Sequence, residues 1–177
     1  MKIYRLAISF GRETLKLFCE KYNINLEEVH YLGGGDFGEA YEHKENVIKI
    51  TTDKTEYNFS KELVGYQNKP IAKIKLVDEI KNDYFILMEK VEQKQEIENM
   101  FYEIERLAEE NDSGIEYLDL DDIDNISPEL KEFGDSLQWI YDFQRRLGIQ
   151  RADIKPENLG YNKEGELVCF DISDFYK

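Results

Sequence analysis

The stretch from Gln150 to Phe175, QRADIKPENLGYNKEGELVCFDISDF, constrains this chain more than any other part of it. It sets Asp153, Lys155 and Asn158 in a D-x-K-x-x-N spacing and places a further carboxylate, Asp171, downstream. Leu159–Tyr161 and Leu167–Phe170 have the composition of two short strands, and Asn162-Lys163-Glu164-Gly165 between them is a turn signal. A hairpin of this kind brings its two outer ends together, which predicts Asn158 beside Asp171. An amide and a carboxylate so placed are hard oxygen donors of the type that hold magnesium. Taken alone, the same letters also describe a polar loop with a proline in it.

Upstream, Val29–His43 reads VHYLGGGDFGEAYEH, with Gly33, Gly35 and Gly38 in a G-x-G-x-x-G spacing. Glycines there let backbone amides approach phosphate oxygens without obstruction by side chains. By itself the spacing is weak, since a dinucleotide site uses the same string and an ordinary hairpin also tolerates it. A dinucleotide site wants a helix after the glycines. Here Glu39–His43 has the pattern of a strand, which favours a hairpin. His30 and His43 in the flanking strands carry no assigned chemistry. The next strand, Asn46–Thr51, holds Lys49 as the one charge in the run Val47-Ile48-Lys49-Ile50. A buried ammonium needs a partner; an edge lysine that snorkels to water does not.

This ordered set resembles protein kinases, in which a glycine-rich loop, a strand lysine, a D-x-K-x-x-N catalytic loop and a metal-binding aspartate follow one another in this order. The likeness covers residues 29–175 and implies an α+β, bilobal kinase-like fold, with a five-stranded antiparallel sheet plus helix in the first lobe and a reduced, helical second lobe. It further implies ATP and Mg²⁺ as cofactors. In that frame Asp153 orients and deprotonates the acceptor hydroxyl, Lys155 stabilises the transferred phosphoryl group, and Asn158 and Asp171 hold the metal. Gly33, Gly35, Gly38 and Lys49 bind the nucleotide phosphates.

A kinase lysine is paired with a glutamate on the following helix, and Glu56 and Glu62 are both candidates on a helix capped by Asp53 and running Lys54–Gly65. Phe59 and Leu63 follow Glu56 on one stripe, whereas Gly65 and Lys69 would follow Glu62, so the register selects Glu56 and leaves Glu62 second. Strands are expected over Ile71–Asp78 and Tyr84–Glu89, with Lys81-Asn82-Asp83 as the turn. By the resemblance, Met88 guards the back of an adenine pocket, and the backbones of Glu89 and Val91 bond the adenine edge. The same letters also fit a plain buried strand. Helical spacing covers residues 13–22, Gln95–Glu110 and a helix capped by Ser127, opened by Pro128 and stopped at Gly148. The first of these helices is expected to cover one side of the first lobe. The acidic run Asp112–Asn125 lacks the glycine of a calcium loop and reads as a solvated connector.

Three departures from the kinase pattern stand out. H-R-D becomes Arg151-Ala152-Asp153, D-F-G becomes Asp171-Ile172-Ser173, and Gly160 stands where an apolar side chain would touch the adenine from below. Only Ile172–Lys177 follow Asp171, so the expectation is a second lobe without an activation segment. The expected division is a helical extension over 1–28, a first lobe over 29–91 and a second lobe over 92–177.

The chain has 177 residues and a formal net charge of −15, which disfavours nucleic acid and anionic membrane as partners and favours a basic one. Cys19 and Cys169 make no disulfide or metal framework, and no stretch is long and apolar enough to be a signal or a membrane span, which fits a cytoplasmic protein. The expectation is a protein kinase-like phosphotransferase acting on a protein or small-molecule hydroxyl acceptor, a Ser/Thr hydroxyl foremost. Two alternatives remain open: a pseudokinase-like protein that binds nucleotide or a partner without turnover, and a small-molecule kinase.

Overall fold

Strand residues alternate between two faces, and in Asn46–Thr51 this puts Ile48 and Ile50 on one face and Lys49 on the other. The computed structural model, which describes residues 13–35, 38–66, 70–149 and 154–171, builds a sheet on this alternation. Its strands are β1 (His30–Gly35), β2 (Gly38–His43), β3 (Asn46–Thr51), β4 (Ile74–Ile80) and β5 (Asp83–Glu89), all antiparallel in the order β1-β2-β3-β5-β4. The described residues fall into two compact units. One runs to Tyr66 and includes Lys73–Lys90, and the other joins Pro70–Ala72 to the residues from Val91 onward.

In the first unit, helix α1 (residues 13–21) lies on the sheet face of Ile48 and Ile50. Leu15, Phe18 and Cys19 share a core with Tyr41, Ile48, Ile50 and Phe85, and the Phe18 ring stacks on Phe85 with centroids 4.6 Å apart. Polar contacts fix its ends: Thr14 Oγ1 donates to Asp83 at 2.7 Å, while Lys21 and the Tyr22 hydroxyl donate to Asp78 at 2.7 and 3.0 Å. Helix α2 (Lys54–Glu62) is capped by the Asp53 carboxylate, which accepts from the Thr55 amide at 2.7 Å. It ends at Glu62, short of the expected Gly65. The Leu63 amide closes the last turn onto Phe59 and Ser60, and the Gly65 amide is given to the carbonyl of Ile74.

Several strand boundaries differ from expectation: β2 begins at Gly38, β5 takes in Asp83 from the expected turn, the strand expected over Leu167–Phe170 ends at Cys169, and β4 is shifted at both ends. The strand expected over Ile71–Asp78 runs Ile74–Ile80, and Lys81 and Asn82 turn the chain with positive φ. Ile71 instead forms a parallel bridge to Cys169 in the second unit, where Ala72 N–H bonds the Cys169 carbonyl at 2.8 Å. That bridge claims the backbone groups that would have extended the sheet.

The second unit holds α3 (Gln95–Glu110), α4 (Pro128–Arg146) and the hairpin of β6 (Leu159–Tyr161) and β7 (Leu167–Cys169). Ser127 caps α4 by accepting from the Leu130 amide at 3.1 Å, with Pro128 in the first turn. Ile97, Phe101 and Ile104 of α3 meet Phe133, Leu137 and Ile140 of α4, and the hairpin adds Leu159, Leu167 and Cys169 to the same core. Leu118 and Leu120 anchor the acidic connector in this core, and its side chain Asp121 stands 82% exposed. Among the described residues no helix is long and apolar enough to cross a membrane.

Candidate functional site

The glycine segment forms a hairpin. Gly33 pairs with Ala40, Gly34 with Glu39 and Gly35 with Gly38, and the residues after Gly38 continue as strand β2. A dinucleotide site, which needs a helix at that point, is therefore ruled out. Within the hairpin the glycines differ in what they permit. A Cβ on Gly38 would lie 2.1 Å from the Ile50 carbonyl oxygen, so the approach of β2 to β3 requires glycine there. A Cβ on Gly33 or Gly35 would meet nothing within 4 Å. Packing therefore gives no reason for glycine at those two positions.

Lys49 stands on β3, flanked by Ala40 on β2 and Ile86 on β5. Its ammonium pairs with the Glu56 carboxylate of α2, whose side chain is 4% exposed. Glu62 lies on the exposed side of α2, so Glu56 is the partner, as the stripe of Phe59 and Leu63 indicates. Removing one member of such a buried pair strands the other, whereas an apolar pair of similar volume often serves stability as well or better. Stability alone therefore does not explain this pair.

Met88 is buried in β5, opposite Val47. Glu89 ends the strand, and its amide donates to the Lys73 carbonyl at 2.9 Å while its carboxylate accepts from the Lys73 amide at 2.7 Å. A ligand meeting the Glu89 backbone must therefore use its carbonyl. Val91 belongs to the second unit and packs on Gly160: a Cβ there would come 2.7 Å from Val91 Cγ2 and 3.2 Å from the Glu92 carbonyl. The space of a side chain at 160 is thus filled by the Val91 isopropyl group.

In the second unit Leu159 is opposite Cys169. One step further out, the Phe170 amide donates to the Asn158 carbonyl at 3.0 Å. Asn158, almost fully buried, and Asp171 therefore leave the same end of the hairpin. Lys155 precedes the 3-10 turn Pro156–Asn158, and its carbonyl accepts the Asn158 amide at 2.9 Å. Asp153 lies outside the described residues, as do Arg151, Ala152, Ile172 and Ser173. Among the described residues no three His, Cys, Asp or Glu side chains gather to hold a metal ion. One amide and one carboxylate suit a magnesium ion that takes its remaining ligands from phosphate oxygens and water.

Gln144 was not singled out by motif. It is 1% exposed on α4, and its Nε2 lies 3.4 Å from Cys169 Sγ. Its position one turn after Ile140 and two turns after Leu137 was the available signal, because it puts Gln144 on the buried stripe.

No protein-family model matches the sequence, and no curated protein matches it. Among solved structures, that of Rad53 1-466 in complex with AMP-PNP is similar over 88% of this chain and 41% of that one, at 16% identity and a TM-score of 0.50. The kinase domain of Mycobacterium tuberculosis PknI is similar over 86% of this chain and 62% of that one, at 13% identity and a TM-score of 0.46. The chain thus spans less than half of the Rad53 chain it matches. At these identities the likeness speaks to fold alone. With the five-stranded antiparallel sheet, the strand lysine paired to a helix glutamate and the hairpin that follows Asn158, the likeness to the Rad53 structure gives this chain a protein-kinase-like fold.

Proposed function

We propose that this protein is an ATP- and magnesium-dependent phosphotransferase that passes a γ-phosphoryl group to a hydroxyl, with a Ser/Thr hydroxyl of a basic protein as the first acceptor class. The observation that carries the reading is the Lys49–Glu56 pair, a half-buried strand ammonium held by a buried helix carboxylate, whose value lies in presenting an oriented ammonium to a polyanion. Lys49 would bind the nucleotide phosphates beneath Gly33 and Gly35, and the Glu89 carbonyl would accept from the adenine amino group. Magnesium, when bound, neutralises charge on the phosphates. Asn158 and Asp171 would orient it through their oxygens. Asp153 would accept the proton of the attacking hydroxyl as its oxygen bonds the γ-phosphorus and the bond to the β-phosphate oxygen breaks, ADP leaving with that electron pair. Lys155 would offset charge on the phosphoryl oxygens. The net charge of −15 supports a basic acceptor over an acidic one.

The test is label transfer from γ-labelled ATP with magnesium, with and without a generic basic protein. Transfer that falls by about 100-fold or more in Asp153→Ala supports the reading, on the scale of lost general-base catalysis. Nucleotide binding without transfer would replace it by the non-catalytic alternative, and transfer to a small molecule alone would move the acceptor class.

A further inference from the structure

The buried stripe of α4 is apolar at Phe133, Leu137, Ile140 and Phe143 and then carries an amide, Gln144. Its Nε2 donates to Cys169 Sγ at 3.4 Å, and the Cys169 thiol donates in turn to the Asp171 carbonyl at 3.1 Å. Cys169 itself has no exposed surface. Gln144 Oε1 is also buried, and among the described residues it has no hydrogen-bond partner. An amide that is desolvated on both atoms and repaid by one bond to sulfur lowers stability relative to leucine, which would fill the same place on the stripe. The bond to sulfur is what leucine could not make.

We propose that Gln144 is a positioning residue for Asp171, acting through the Cys169 thiol. The Asp171 peptide leaves the hairpin just beyond the last β6–β7 pair, held on one side by the Phe170 amide on the Asn158 carbonyl. The Gln144–Cys169 relay supplies a second hold, from the rigid body of α4. With both in place, the Asp171 carboxylate starts from a fixed backbone, as a group that must meet a metal at a set geometry requires. The importance of this for metal binding rests on the phosphotransferase reading; the restraint on the backbone does not.

The test uses the full chain carrying Gln144→Leu, Cys169→Val or Cys169→Ser. Serine keeps a donor and an acceptor at 169, and valine keeps neither. Two readouts separate the claims. The first is hydrogen exchange at the Phe170 amide without ligand; the second is the magnesium concentration that gives half of the ATP-dependent thermal shift. Because bonds to sulfur are weak, exchange at Phe170 is expected to rise about three- to tenfold in Gln144→Leu, with the Leu159–Tyr161 amides unchanged and thermal stability equal or higher. Cys169→Val should match it, Cys169→Ser should stay near the parent, and the magnesium midpoint should rise by a similar factor while ATP binding without magnesium holds. Unchanged exchange at Phe170 in a folded Gln144→Leu, or a rise spread evenly over α3 and α4, would overturn the inference. If the parent shows no magnesium-dependent shift, the phosphotransferase reading fails, while the exchange result still decides the role of Gln144.

Discussion

Lys49 and Glu56 are the most informative pair of side chains, because the proposed function needs both charges whereas stability does not. Lys49→Met leaves the Glu56 carboxylate buried beside an apolar group, and the expected loss is about 3–5 kcal/mol of stability. Lys49→Met with Glu56→Leu removes both charges and should recover most of that loss, while nucleotide binding stays absent. Urea unfolding of the three proteins checks the first statement and ATP titration the second; a double variant that still binds ATP at parental strength would detach Lys49 from the phosphates. The glycines offer a matching contrast. Gly38→Ala drives a methyl into the Ile50 carbonyl and should cost several kcal/mol or prevent folding, an overpacking effect of at least about 2 kcal/mol. Gly33→Ala enters open space and should leave unfolding unchanged, so weaker ATP binding in that variant would report on the ligand alone.

Among the elements, α1 is tied to the sheet at its C-terminal end by a titrating group, Asp78. Burial pushes the Asp78 carboxylate toward a higher pKa, but the hydrogen bonds it accepts from Lys21, Tyr22 and the Glu79 amide outweigh this and leave it below the ordinary aspartate value. A carboxylate held lower in the folded state stabilises at pH above its unfolded pKa, and the contribution disappears as pH falls through the folded one. Asp78→Asn should therefore lower stability by about 1 kcal/mol near neutrality, given that Lys21 is half exposed. The gap in melting temperature between parent and variant should close below about pH 4. A gap independent of pH would mean that the carboxylate charge does not hold α1.

Much of this level was legible in the sequence, for reasons that can be named. The span of α3 followed from a stripe with helical period, and α4 from Ser127-Pro128 at its start. Glu56 stands out from Glu62 because Phe59 and Leu63 continue its stripe, whereas Gly65 and Lys69 would continue that of Glu62. The start of β4 was not legible, because Ile71 is as apolar as Ile74 and only the long-range bridge to Cys169 separates them. Gln144 was missed because glutamine is usually a surface residue, and nothing local marks a thiol as its partner. The bonding of the Glu89 amide to Lys73 continues the pairing of β4 with β5 one step beyond Ile74 and Met88, and so follows from the expected hairpin.

At the scale of the whole molecule, the claim is that residues spread from Gly33 to Asp171 act on one magnesium–nucleotide. Because Asn158 and Asp171 offer too few ligands alone, magnesium without nucleotide should not stabilise the protein. The most direct measurement is the melting temperature of the full chain with ATP, with magnesium, and with both. At a ligand concentration about 100 times Kd the gain is about 2.7 kcal/mol, which corresponds to a rise of about 5–10 °C for a chain of this size. The account predicts that rise with ATP and magnesium together, less with ATP alone, none with magnesium alone, and loss of the magnesium-dependent part in Asp171→Asn. An unchanged melting temperature at millimolar ATP and magnesium, or an undiminished rise in Asp171→Asn, would contradict it.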